Sequence, residues 1–241
     1  MNYPTTKQAL ITGASSGIGK ATALAFAKAG INLALVSRES ENLAAVVAAA
    51  RVVGVKAEAY PLDLSKIEQV QSSISAIAAQ FGPIDILVNS AGMGYTGPLT
   101  ETPLADWQRV LDLNVTSVWQ CMQGILPGMR DRKSGIIINI SSIAGSQVFP
   151  NWGLYCVSKF GLMALSKAVA TEERAHGIRV TAICPGSVNT PMWDTETVQA
   201  DFDRTAMLTP ENVAESILHA VQLPACAVIE EMTLMSNAGV L

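Results

Sequence analysis

The chain of 241 residues is predicted to fold as an α/β protein in three layers, α/β/α, doubly wound around a mainly parallel sheet of seven strands. Three observations predict it. Short β-rich runs alternate with helix-length segments from one end to the other. Several of those runs, such as Ile84-Asp-Ile-Leu-Val88 and Ile136-Ile-Ile-Asn-Ile140, are almost continuously apolar, as a parallel strand covered on both faces requires. The first run also passes straight into a glycine-rich turn and then a helical stretch.

Taken in order, strands are expected at Ala9–Thr12, Asn32–Val36, Val55–Tyr60, Ile84–Val88, Gly135–Ile140, Ile178–Ile183 and Ala227–Leu234. Lys20–Ala29 reads as the first helix. Ser40 is placed to cap the next, in which Leu43, Val46, Val47 and Ala50 follow helical spacing and Gly54 lies past the end. Ser65-Lys-Ile-Glu68 has the form of a capping box ahead of Val70, Ile74 and Ile77. Thr209-Pro210-Glu211 sets a cap residue, then proline at the first helical position, before Val213 and Ile217. The stretch 187–208 shows no strand pattern and is the expected lid. No repeat, low-complexity tract or linker divides the sequence, so one domain over 1–241 is expected.

Composition excludes several function classes. Hydrophobic residues make up 49% and charged residues 15%, against a charged share of about 25% in typical domains. So apolar a chain points to a sheet covered on both faces and to further surface hidden between subunits. Sixteen basic and twenty acidic residues leave −4, which argues against a nucleic-acid surface. Cys121, Cys156, Cys184 and Cys226 are scattered, and neither His176 nor His219 falls into metal-ligand spacing. Buried thiols fit better than a zinc site. No apolar run approaches the ~20 residues of a bilayer span, and the first strand starts too early for a secretory segment. A reduced, cytoplasmic protein without metal, membrane or nucleic-acid partner is expected.

The turn after the first strand is Thr12-Gly13-Ala-Ser-Ser-Gly17-Ile-Gly19. Glycine suits a sharp turn and a backbone that must approach a pyrophosphate closely. The helix that follows directs unpaired N–H groups and its positive dipole end at such a phosphate. The same glycines could serve only a tight strand-to-helix connection. Their position between the first strand and the first helix favours a Rossmann-type dinucleotide site. At the tip of the second strand, Leu35-Val36-Ser37-Arg38 lacks the carboxylate that reads an NAD ribose. Arg38 can instead pair with a 2′-phosphate and Ser37 can add a hydrogen bond, so NADP(H) is expected over NAD(H).

Tyr155 and Lys159 stand four residues apart, one helical turn, which stacks amine beside phenol on one face. A free tyrosine, with a pKa near ~10, is a weak base at neutral pH. A neighbouring cation favours the phenolate, so Lys159 is expected to lower the Tyr155 pKa.

Together these residues resemble the short-chain dehydrogenase/reductase family over essentially the whole chain. Gly13, Ser15, Ser16, Gly17, Ile18 and Gly19 resemble its cofactor turn. Asn89-Ser-Ala-Gly92 resembles its Asn-Asn-Ala-Gly element, with Ser90 in place of the second asparagine, and implies cofactor contacts from Asn89, Ala91 and Gly92. Asn114, Ser142, Tyr155 and Lys159 match its catalytic tetrad. Ser142 is chosen over Ser141 because Ser142-Ile-Ala-Gly145 fits the family register, while a continuing strand turns Ser141 to the other face. Asp63 and Leu64 resemble the pair that brackets adenine, although Asp63 could equally cap its own loop. Pro185, Gly186, Val188 and Thr190 resemble the segment bordering the nicotinamide, and Thr190 could equally cap a turn.

The resemblance implies hydride transfer between the nicotinamide and a carbonyl or secondary-alcohol carbon. Tyr155 would give the proton, Ser142 would stabilise the oxygen, Lys159 would also hold the nicotinamide ribose, and Asn114 would hold a water. Met93, Tyr95, Ala144, Val148, Trp152, Met192 and Trp193 are the expected substrate wall, apolar enough for a hydrophobic carbonyl or alcohol substrate. One alternative is a 3-oxoacyl-[acyl-carrier-protein] or acyl-thioester reductase, with Arg130, Arg132 and Lys133 as a basic cluster for an acidic carrier protein. The C-terminal stretch lacks the Gly-Gly ending common in that branch. Another alternative is a non-catalytic NADP(H) sensor, against which the intact tetrad argues. Family members form dimers or tetramers through helices corresponding to Trp107–Arg130 and Tyr155–His176, so a homo-oligomer is expected.

Overall fold

The continuously apolar runs become the strands of one sheet. In a computed structural model, which describes residues 6–200 and 202–239, they are β1 (Gln8–Thr12), β2 (Asn32–Ser37), β3 (Ala57–Pro61), β4 (Ile86–Asn89), β5 (Gly135–Ile140), β6 (Ile178–Pro185) and β7 (Glu231–Leu234). The order across the sheet is β3-β2-β1-β4-β5-β6-β7, and all six neighbouring pairs are parallel. The chain winds one way from β1 to β3 and the other way from β4 to β7. The direction reverses between β1 and β4, which opens a crevice at the carboxyl ends of the strands.

Alternate residues of each strand feed two cores. Ile11, Leu33 and Leu35 pack with Phe26 of α1 (Gly17–Lys28), Leu43 and Val46 of α2 (Ser40–Val52), and Val213 and Ile217 of α7 (Pro210–Gln222). On the opposite face Leu10, Val36, Leu87 and Ile137 meet Ile74 of α3 (Ile67–Phe81), Met122 and Ile125 of α5 (Ser117–Arg132), and Leu162 of α6 (Gly153–Glu173). The remaining helix, α4 (Leu104–Leu111), precedes α5. The three-layer expectation is met, and the sheet is wholly rather than mainly parallel. Among the described residues no helix is long and apolar enough to cross a membrane.

Several local expectations are corrected. Ser40 is the first residue of α2, not its cap; Glu39 takes that place and accepts a hydrogen bond from Asn42 Nδ2 at 2.7 Å. Ser65 forms no capping box, because its N–H and hydroxyl both donate to Asp63 Oδ1, at 3.0 and 2.8 Å. That local turn competes with the cap and wins. At Thr209 the box does form, with Asn212 as its reciprocal partner. β3 and β7 begin later than Val55 and Ala227. For β7 the reason is register, since its pairing with β6 runs only from Glu231 to Leu234. The helix expected over 107–130 is interrupted at Asp112–Thr116, where the Ser117 N–H reaches back five residues to the Asp112 carbonyl. This widened turn turns Asn114 inward. The segment 187–208, expected as a lid, carries short helical turns at Pro191–Asp194 and Arg204–Ala206, and a Val188–Leu208 bridge joins its ends. Asp201, within it, lies outside the described residues.

Candidate active site

A cleft of about 900 Å³ opens at the strand ends on both sides of the switch point. Its floor is the glycine turn. Gly13 and Gly17 adopt φ of 65° and 51°, a region that L side chains disfavour. A Cβ on Gly13 would also lie 2.9 Å from the backbone of Ala91. Thr12 ties these segments together, its hydroxyl accepting the N–H groups of Ser90 at 3.1 Å and Ala91 at 3.2 Å. Ser37 donates to Ser15 across 2.8 Å, pinning the β2 tip to the turn. The first turn of α1 has no side-chain cap, and Gly17 and Ile18 face the cleft. Arg38, Glu39 and Ser65 form the wall beyond. An uncapped helix start over a floor where Gly13 and Gly17 carry no Cβ, with a guanidinium beside it, fits a phosphorylated dinucleotide. Gly13, Ser16, Gly17 and Ile18 would hold the pyrophosphate, and Arg38 a ribose phosphate.

The four residues of the expected tetrad converge on the other side of the floor. Tyr155 lies in the first turn of α6 and Lys159 in the next, both buried yet on the cleft wall. Ser142 follows β5; its hydroxyl accepts the Ala144 N–H at 3.1 Å and points at the Pro185 carbonyl, 3.4 Å away. Asn114 sits behind the wall, holding Met93 through N–H to Oδ1 and Nδ2 to carbonyl contacts, both 2.9 Å, and donating to Ser158 Oγ at 3.0 Å. A Cβ on Gly92 would stand 3.2 Å from Asn114 Oδ1 and 3.8 Å from Lys159 Nζ. Three separate segments thus meet at one point.

The electrostatics correct one expectation. Burial pushes the Tyr155 hydroxyl up to about 12, against the opposing hydrogen bond from Ser142. The Lys159 amine does not bring it below its ordinary value. Its Nζ lies 5.6 Å from the centroid of the Tyr155 ring and donates to the Ile140 carbonyl at 2.9 Å. Burial pulls Lys159 itself down to about 8. Desolvation disfavours the phenolate, so the phenol keeps its proton at neutral pH. Asp63 is held below the usual carboxylate range: burial pulls the other way, but both Ser65 hydrogen bonds and the Arg38 charge prevail.

Most expected site residues line the cleft, including Ala91, Met93, Ala144, Trp152, Gly186, Val188, Thr190, Met192 and Trp193, along with Pro185. Others do not. Asn89 is buried inside the sheet, giving Nδ2 to Asn139 at 2.9 Å. Leu64 is buried in the core. Ser15, Gly19, Ser37 and Asp63 support the floor or the adjoining loop from behind. Val148 is 75% exposed and off the wall, and Tyr95 turns its hydroxyl to Asp106 at 3.2 Å. Arg130 of the expected basic cluster pairs with buried Glu173 through Nε at 2.8 Å, and Arg132 donates to the Ile84 carbonyl at 2.7 Å. The sequence reading missed Glu39, Ser65, Arg109, Leu113, Phe149, Glu196 and Phe202 on the wall. Glu39 and Ser65 follow strand ends, where the topology alone would have placed them. The lid residues carry no periodic signal.

Comparison with known proteins gives a consistent picture. A family model described as short chain dehydrogenase matches residues 7–201. A 3-oxoacyl-[acyl-carrier-protein] reductase from Synechocystis sp. is 38% identical, the match covering 99% of this chain and 98% of that protein. An alcohol dehydrogenase from the archaeon Thermococcus sibiricus, complexed with 5-hydroxy-NADP, superposes with a TM-score of 0.88 at 28% identity, covering 96% and 97% of the two chains. A variant actinorhodin polyketide ketoreductase with NADPH gives 0.87 at 30% identity, covering 99% of both.

Proposed function

The chain belongs to the short chain dehydrogenase family, and from that premise we propose that it is an NADP(H)-dependent reductase of ketones, also able to oxidise the corresponding secondary alcohols. The observation that carries the reading is the meeting of Lys159 and Asn114 at Gly92, with Tyr155 and Ser142 on the same cleft wall and an uncapped helix start beside them. When bound, the nicotinamide supplies or accepts the hydride. Tyr155 holds a proton at neutral pH and offers it to the substrate oxygen. Ser142 bonds the same oxygen and fixes the Tyr155 hydroxyl. Lys159 reaches the cleft from below and presents a positive charge beside the forming alkoxide. Asn114 positions Met93 and the widened turn, which keeps the Gly92 floor open. Arg38 in place of a strand-tip acid supports NADP(H) over NAD(H), as do the similar structures carrying NADP-type nucleotides.

The reading treats 1–241 as one domain, with 187–208 as a lid over the substrate and the cytoplasm as the setting. A homo-oligomer, dimer or tetramer, is part of it, supported by half-exposed Trp119, Val157 and Phe160 on α5 and α6. The Synechocystis relative favours a second reading, reduction of a 3-oxoacyl thioester. Against a carrier-protein surface stands the engagement of Arg130 and Arg132 within the chain itself. The test is a panel of ketones and a 3-oxoacyl thioester, each with NADPH and NADH, followed by loss of reduced-nicotinamide absorbance. Ketone-dependent NADPH oxidation is expected; no oxidation with any carbonyl compound would overturn the proposal.

A further inference from the structure

The substrate half of the cleft carries a series of rings that proton transfer does not explain. From Tyr155 the centroids step 5.4 Å to Trp152, 5.7 Å to Trp193 and 5.4 Å to Phe202, at interplanar angles of 67°, 70° and 88°. These rings come from the loop before α6, the first turn of the lid and its far limb. Trp152 and Phe149 pack with Ala144, Tyr155 and Cys156 in a cluster separate from both sheet cores. Trp152, Trp193 and Phe202 are only half-buried, and all three line the cleft. Rings that merely latched the lid would be covered on their remaining faces. Two of them are held in place. Trp193 Nε1 donates to the Val188 carbonyl at 2.8 Å. Trp152 follows Asn151 at φ 63°, whose carbonyl accepts the Gly97 N–H at 2.7 Å. Arg109 pairs with Asp106 at 3.0 Å and Arg204 with Asp194 at 2.6 Å, while exposed Glu196 on the same wall is in no ion pair among the described residues, which disfavours an anionic guest.

From this geometry we infer that the substrate half is a subsite for a planar, uncharged aromatic ring carried beside the reacting carbonyl, gripped by Trp152 and Trp193. The substrate class is therefore neutral aryl ketones and their alcohols. The inference rests on the oxidoreductase reading only for the identity of the reacting group. Preorganised faces and edges favour an aromatic guest, while apolar burial by itself favours a saturated ring of equal size. Phenyl against cyclohexyl separates the two effects.

Acetophenone and cyclohexyl methyl ketone serve as substrates with NADPH, each turnover giving one secondary alcohol and one oxidised nucleotide as the carbon gains hydride and the oxygen a proton. In parallel, 1-phenylethanol and 1-cyclohexylethanol are titrated calorimetrically into protein saturated with NADPH, a combination that cannot turn over. A phenyl preference of about 2- to 12-fold is expected in both kcat/KM and affinity, the range for one aromatic contact. Trp193→Leu should bring the ratio toward one, and Trp193→Phe should retain most of it. Equal affinities in the parent, or a ratio untouched by Trp193→Leu, would overturn the subsite. Preferential phenyl binding without reduction of either ketone would uphold the subsite and count against the reductase reading instead.

Discussion

Replacing Tyr155 by Phe removes one oxygen and leaves the ring. That ring is 8% exposed, packed on Ala144 and Cys156 with Trp152 5.4 Å away, and phenylalanine keeps all of these contacts. What is lost is the hydroxyl, whose pKa burial raises to about 12. Positioned general acids contribute about 10²- to 10⁴-fold, which is roughly 2.7–5.4 kcal/mol of transition-state stabilisation. The fold loses at most one neutral hydrogen bond, about 0.5–1.5 kcal/mol net, and regains part of it because a buried polar group no longer needs desolvation. Turnover should therefore fall at least ~100-fold while unfolding free energy stays within about 1 kcal/mol of the parent. Initial rates, urea titrations and NADPH binding by fluorescence measure the three quantities on one preparation. Turnover within ~10-fold of the parent would show that another group gives the proton. A large loss accompanied by weakened NADPH binding would make Tyr155 a structural residue rather than the donor.

Two further outcomes follow from the charges around the cleft. Arg38→Asp exchanges a guanidinium on the wall for an acid, and charged hydrogen bonds of about 1.5–3 kcal/mol set the scale. The NADPH-over-NADH ratio of kcat/KM should drop at least ~10-fold, and an unchanged ratio would assign ribose reading elsewhere. Lys159, drawn down to about 8 by burial, loses its charge as pH rises through that value, while Tyr155 remains protonated until about 12. Ketone reduction should therefore weaken above about pH 8. Between about 8 and 10.5 the unfolded chain binds more protons at Lys159 than the folded one, so this group's contribution to stability rises with pH there. Activity and stability move in opposite directions across the window; a rate constant from pH 7 to 10 would refute the assignment.

The Gly13–Gly19 turn, the Tyr155–Lys159 pair and the strands were legible because each depends on neighbours close in the chain. Left-handed glycines, one-turn spacing and unbroken apolar runs are local constraints. The caps show the limit of that legibility. Ser40 and Ser65 satisfied a sequence rule, yet α2 begins one residue earlier than that rule allows, with Glu39 at the cap, and the Asp63 carboxylate takes both Ser65 donors. Asn89 matched a motif whose register hides its side chain between β4 and β5.

The sequence by itself determined the winding of the sheet, the floor of glycines and the one-turn spacing of Tyr155 and Lys159, since covalent spacing and backbone sterics act before any long-range contact exists. Only the tertiary structure decided that the Tyr155 phenol stays protonated and that Trp152, Trp193 and Phe202 come together along one wall. Burial and ring-to-ring distance are properties of segments far apart in the chain. They take values only once the two halves of the sheet and the segment 187–208 have come together around the same cleft.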